Sequence, residues 1–123
     1  MGKQILLIDD DALLCEVLAE FLELSGYAVI QAANGRAGLE RLASGAAPDL
    51  ILLDLLMPEM DGIRFLGELG KLGRGLPPVL VLSASATASI VDALQFSCVA
   101  GVIRKPVQPP VLIERIAALI GPG

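Results

Sequence analysis

Apolar residues along this chain fall into two recurring patterns: short unbroken runs, and longer stretches with helical spacing. The runs are residues 5–8, 28–33, 50–53, 79–82 and 99–103. The first helical pattern covers 13–24, with Glu16, Glu20 and Glu23 on one face. Asn34-Gly35 opens a short helix carrying Arg36, Glu40 and Arg41. Asp61 has the position of a cap for a helix reaching about Lys71. Two more helices are predicted at about 88–96 and 110–120, the last stopped by Gly121-Pro122-Gly123. The apolar runs do not alternate with polar residues, as expected of strands buried on both sides of a parallel sheet. The predicted fold is α/β: a doubly wound (βα)5 sandwich, with a five-stranded parallel sheet and helices on both faces. Such sheets bind ligands beyond the carboxyl ends of their strands.

Composition narrows the function classes. The chain has 123 residues, which fits one domain spanning 1–123. With 54% hydrophobic against 19% charged residues, a disordered acidic tail is excluded. Aromatics are 3% with no Trp, which argues against base stacking on single strands. Nine basic against 14 acidic residues, a net charge of −5, argues against direct nucleic-acid binding. The absence of His excludes serine-type triads, His-zinc centres and a phosphohistidine on this chain. Cys15 and Cys98 lie in apolar stretches and are expected as buried, reduced thiols. No signal-peptide core precedes Asp9, and the longest uncharged stretch, 75–91, contains Pro77 and Pro78. It falls short of the ~20 apolar residues of a spanning helix. A soluble, cytoplasmic chain without membrane contact is expected.

The strand ends carry the chemistry. Asp9, Asp10 and Asp11 follow the first run, Asp54 the third, Ser83 the fourth and Lys105 the fifth. In a parallel sheet these ends share one edge. Each residue has an ordinary role when taken alone: an aspartate or serine can cap a helix or turn, and a lysine can be solvated. Those roles do not predict that all of them recur at successive strand ends. Crowded carboxylates repel one another, and a hard divalent cation such as magnesium removes the conflict while leaving positions for a phosphate. An amine and a hydroxyl beside it could stabilise a phosphoryl group, and a carboxylate there can be the nucleophile.

The segments Ile5-Leu-Leu-Ile-Asp-Asp-Asp11, Asp54-Leu-Leu-Met-Pro-Glu-Met-Asp-Gly62, Val79-Leu-Val-Leu-Ser-Ala84 and Arg104-Lys-Pro106 resemble, in this order and at these separations, the receiver domain of two-component response regulators. The resemblance covers nearly the whole chain and implies a flavodoxin-like fold. It implies that Asp54 accepts a phosphoryl group from a sensor histidine kinase or histidine phosphotransfer protein. Magnesium would be held by Asp10 directly, by Asp9 partly through water, by Asp54, and by the backbone carbonyl of Leu56. Ser83 would bond a phosphoryl oxygen, Lys105 would pair with the phosphoryl group, and the Lys105-Pro106 peptide would be cis. Asp11 falls outside the pair and is expected to start a helix.

Two positions depart from the family pattern. Val102 stands where many members carry an aromatic that swings with the switch hydroxyl, and Cys98 where a glycine often ends the fourth helix. The region from 83 to 102 holds a single charge, Asp92, which fits a partner or self-association surface on the face of the fourth helix, fifth strand and fifth helix and equally an Ala/Ser-rich solvated helix. Leu56, apolar and two residues past the acceptor, is expected to slow loss of the phosphoryl group. Two competing readings also fit the sequence. One is a scaffold that keeps the fold without phosphorylation. The other is a phosphatase resembling haloacid dehalogenases, for which Asp9-Asp10-Asp11 fits formally but Asp54 has no role.

Overall fold

The computed structural model describes residues 2–55, 61–73, 75–84 and 87–123, with the side chains of 87–89 excepted. Strands and helices alternate throughout: β1 (Gln4–Ile8), α1 (Ala12–Leu24), β2 (Ala28–Ala32), α2 (Gly35–Ala43), β3 (Leu50–Asp54), α3 (Gly62–Gly70), β4 (Val79–Ser83), α4 (Thr87–Leu94), β5 (Val99–Arg104) and α5 (Pro109–Ile120). The five strands form one parallel sheet in the order β2-β1-β3-β4-β5. The predicted doubly wound (βα)5 sandwich is therefore the observed fold.

Each strand splits its side chains between two cores, because successive residues face opposite sides. Leu6, Ile8, Ile51, Leu53, Val79 and Val81 pack with Phe65, Leu66 and Leu69 of α3 and Ala93 of α4. Ile5, Leu7, Leu50, Leu52, Leu80 and Leu82 pack with Cys15, Leu18 and Leu22 of α1 and Leu112 and Ile116 of α5. Burial on both sides, expected of every strand, holds for the central three. Along β2 and β5 most residues are only partly buried or exposed, since these strands form the two sheet edges.

Side-chain caps start three helices. Asp11, Asn34 and Asp61 each accept the backbone N–H three residues on, at 3.1, 2.8 and 2.9 Å. Asp11 and Asp61 thus hold the helix-starting places expected of them. Cys98 corrects its expectation. It is only partly buried, because it precedes an edge strand. Among the described residues no helix is long and apolar enough to cross a membrane.

Candidate functional site

Chain order reverses at β1. The chain runs from β1 to β2 on one side and then to β3 on the other, which opens a crevice at the carboxyl ends of β1 and β3. Register levels the polar residues along this edge. Ile8 pairs with Leu53, which brings Asp9 level with Asp54. Asp54 pairs with Leu82, one residue before Ser83. Ser83 pairs with Arg104, one residue before Lys105.

Ligand oxygens of Asp9, Asp10 and Asp54 lie within 4.8 Å of one another. Asp9 is 1% exposed and Asp54 5%, while Asp10 faces solvent. Lys105 reaches in from β5. Its Nζ donates to Asp9 Oδ2 at 2.9 Å and lies 3.6 Å from Asp54 Oδ1. Asp54 is thus covered yet faces polar partners. Asp9 is held from several sides: its N–H donates to Ala32 O at 3.1 Å, and its Oδ1 accepts the Asp11 N–H at 2.9 Å. Ser83 is buried, and its carbonyl accepts the Lys105 N–H at 2.8 Å. That bond ties the fourth strand end to the fifth, and the following Lys105-Pro106 peptide is cis. Leu56, as carbonyl ligand and as a shield against water, lies outside the described residues.

Three carboxylates and one ammonium leave about two net negative charges in this crevice. Burial pulls the Lys105 ammonium toward neutrality, but the hydrogen bond and charge of Asp9, then Asp54, outweigh it and hold its pKa above the ordinary 10.5. Lys105 is charged at every physiological pH, and the excess negative charge stays. The donor set is all oxygen, part buried and part open to water. That suits magnesium, which keeps several waters, better than zinc, which favours nitrogen and sulfur.

Cys15 has a role here that its sequence position does not reveal. Its Sγ donates to the Asp9 carbonyl at 3.3 Å. Burial, followed by the charges of Asp9 and Asp11, pushes the thiol up to about 11. Iodoacetamide applied to the native chain at pH 8 is expected to modify Cys98 well before Cys15, as read by peptide mapping. Equal rates would contradict the enclosed thiol.

Gly62, the first residue of α3, lies against the end of β3, donating its N–H to Leu55 O at 2.9 Å. A Cβ at this position would lie 2.7 Å from Leu55 Cα and 2.8 Å from Asp54 O. Both are backbone atoms and cannot rotate away. Gly62→Ala is expected to destabilise the fold by about 1–3 kcal/mol in urea melts and to displace the end of β3.

Comparison with known proteins bears on this arrangement. A family model described as the response regulator receiver domain matches residues 5–117. The chain is 29% identical over 117 residues to the chemotaxis protein CheY of Thermotoga maritima, covering 94% of this chain and 96% of that protein. It is 35% identical over 120 residues to the response regulator MprA of Mycolicibacterium vanbaalenii, covering 98% of this chain but about half (51%) of that protein. A CheY-like response regulator receiver domain protein from Methanospirillum hungatei superposes with a TM-score of 0.88 at 30% identity, covering 96% of this chain and 93% of that one.

Proposed function

The chain belongs to the response regulator receiver domain family, and from that premise we propose that it accepts a phosphoryl group on Asp54 and thereby switches a protein-interaction surface. The observation that carries the reading is the Lys105 ammonium lying 2.9 Å from Asp9 and 3.6 Å from Asp54, beside carboxylates grouped closely enough to share one cation.

The donor is a phosphohistidine on a sensor histidine kinase or histidine phosphotransfer protein, since none of these 123 residues is a His. A carboxylate oxygen of Asp54 attacks phosphorus in line. The P–N bond to the donor imidazole breaks, its electron pair stays on nitrogen, and an acyl phosphate forms on Asp54. Lys105 pairs with the phosphoryl oxygens and offsets their charge. The Ser83 hydroxyl donates to one of them, drawing in the loop after β4. Asp9, Asp10, Asp54 and the Leu56 carbonyl would hold Mg2+, which supplies charge neutralisation at the phosphoryl oxygens. Attack by water on phosphorus breaks the P–O bond to Asp54, releases inorganic phosphate and restores the carboxylate, and Leu56 slows that loss by restricting water. The chain is thus a phosphoacceptor with self-phosphotransfer and autodephosphorylation, without turnover of a separate substrate. The switch biases the face of α4, β5 and α5 between two states. With Val102 in β5, no aromatic rotation can report it. The two free thiols agree with a reducing cytoplasm.

Incubation with acetyl phosphate and Mg2+ tests the proposal. The intact mass is expected to rise by one phosphoryl group, and Asp54→Ala should abolish the gain. An unmodified parent chain would favour the scaffold reading. Turnover of a phosphate ester, lost in Asp9→Ala, would favour the phosphatase.

A further inference from the structure

An open cavity of about 240 Å³ lies beside β5 and the start of α5, lined by Val102, Ile103, Arg104, Pro106, Gln108, Val111 and Arg115. None of these residues is a member of the phosphoacceptor crevice, although Arg104 and Pro106 flank Lys105 at the end of β5. Two guanidinium groups border it, and among the described residues neither has a hydrogen-bond or ion-pair partner. In a chain of net charge −5, two neighbouring unpaired arginines stand out.

The cavity is shaped by backbone as well as by side chains. A Cβ at Gly101 would collide with Arg115 Nη2, so the missing side chain lets this guanidinium rest on the edge strand. Val102, small and β-branched, leaves open the space a larger residue would fill. Gln108 precedes α5 as its N-cap without a side-chain capping bond, so its amide is available. Pro at N1 and N2 removes backbone donors that could otherwise serve an anion. Recognition here falls to the side chains. Val111 is 47% exposed and provides an apolar wall.

We propose that this cavity docks an acidic segment of a partner protein, one carrying two closely spaced carboxylates beside an apolar side chain. This rests on the reading above, in which the α4-β5-α5 face is what phosphorylation switches, and it specifies the partner's chemistry. Size favours side chains over a free ligand, since small-molecule pockets are usually about 300–1,000 Å³ and more enclosed. Charge sets the sign, because each guanidinium can take a carboxylate in a two-point contact. A second copy of the chain is the weaker fit. Both copies are acidic, with a net charge of −5 each, so their faces repel where a separate acidic segment meets only one such chain.

The test is an NMR titration of the full, unphosphorylated chain in EDTA with a synthetic peptide of alternating aspartate and leucine. Methyl shifts are expected at Val102 and Val111. Arg104→Glu and Arg115→Glu should each weaken binding about tenfold. A peptide of alternating lysine and leucine should shift the Val102 and Val111 methyls only in the double Glu variant, whose dispersed methyl spectrum before titration shows that it folds. Binding that ignores both arginines, or equal binding of the two peptides to the parent chain, overturns the proposal. So does saturation of the same methyls by succinate at equal concentration. A concentration-dependent dimer broken by both Asp92→Lys and Arg104→Glu would reassign the cavity to a second copy and likewise overturn it. None of these readouts needs Asp54 to be phosphorylated. Failure of the phosphoacceptor reading and failure of the docking site are thus seen separately.

Discussion

Lys105→Met is expected to slow phosphorylation by acetyl phosphate at saturating Mg2+ by about 10²-fold or more, the usual loss when one preorganised donor to developing charge is removed. The reason is geometric. Lys105 is the one cation among the described residues that touches both buried carboxylates. Methionine keeps the length and the apolar stem but offers no charge to the phosphoryl oxygens. Stability should fall as well. Asp9 is 1% exposed and loses its ion-pair partner, so about 3 kcal/mol is expected in EDTA, the low end for a broken buried pair because Lys105 is partly solvated. The pH dependence has a definite sign. A lysine whose folded pKa lies above 10.5 contributes its full stabilisation below 10.5 and loses it as pH rises through the folded value. The gap between parent and variant should therefore be flat from pH 6 to 9 and close only in strong alkali. Lys105→Arg should recover part of the stability but little of the rate, because a planar fork does not match the position of a compact ammonium. Single-turnover mass spectrometry and urea melts read both effects. A rate within twofold of the parent would contradict the role given to Lys105.

Much of this arrangement could be read before any coordinates, for a definite physical reason. Strands buried on two sides announce themselves as apolar runs, and polar residues directly after such runs must sit at the sheet edge. Asp9, Asp54, Ser83 and Lys105 were legible on that ground, as were the caps Asp11, Asn34 and Asp61. Other features depend on tertiary contacts that local pattern does not encode. Periodicity carries no strand order, so which strands were edges stayed hidden, along with the half exposure of β2, β5 and Cys98. Nor could spacing show that Lys105 approaches Asp9 more closely than Asp54, or that Cys15 turns back on the Asp9 carbonyl. The Arg104/Arg115 cavity was missed too. Its one signal was a glycine within a strand, which often marks the close approach of another group. Here that group is the Arg115 guanidinium.

Asp54→Asn should make the chain more stable in EDTA and less stable in magnesium. In the absence of a cation, Asp54 is a buried carboxylate near two others, and Lys105 is already bonded to Asp9 at the shorter distance of 2.9 Å. Neutralising Asp54 removes more repulsion and desolvation than attraction, so a gain of about 1–2 kcal/mol is expected. Magnesium reverses the order. A parent chain that binds it gains about 2.7 kcal/mol when the ion is present at 100 times its Kd. The variant, with an uncharged amide in the donor set, gains much less. The midpoints of urea melts with and without Mg2+ should therefore cross, while Leu119→Ala, away from the crevice, should shift both by the same amount. Parallel midpoints for Asp54→Asn would mean that the ion does not sit among these carboxylates. A parent more stable than the variant in EDTA would mean that Lys105 outweighs the repulsion. The crossing, if found, locates the conflict: the carboxylates that the proposed chemistry requires are held together against their own repulsion by the burial of β1 and β3, and the cation relieves that strain only while it is bound.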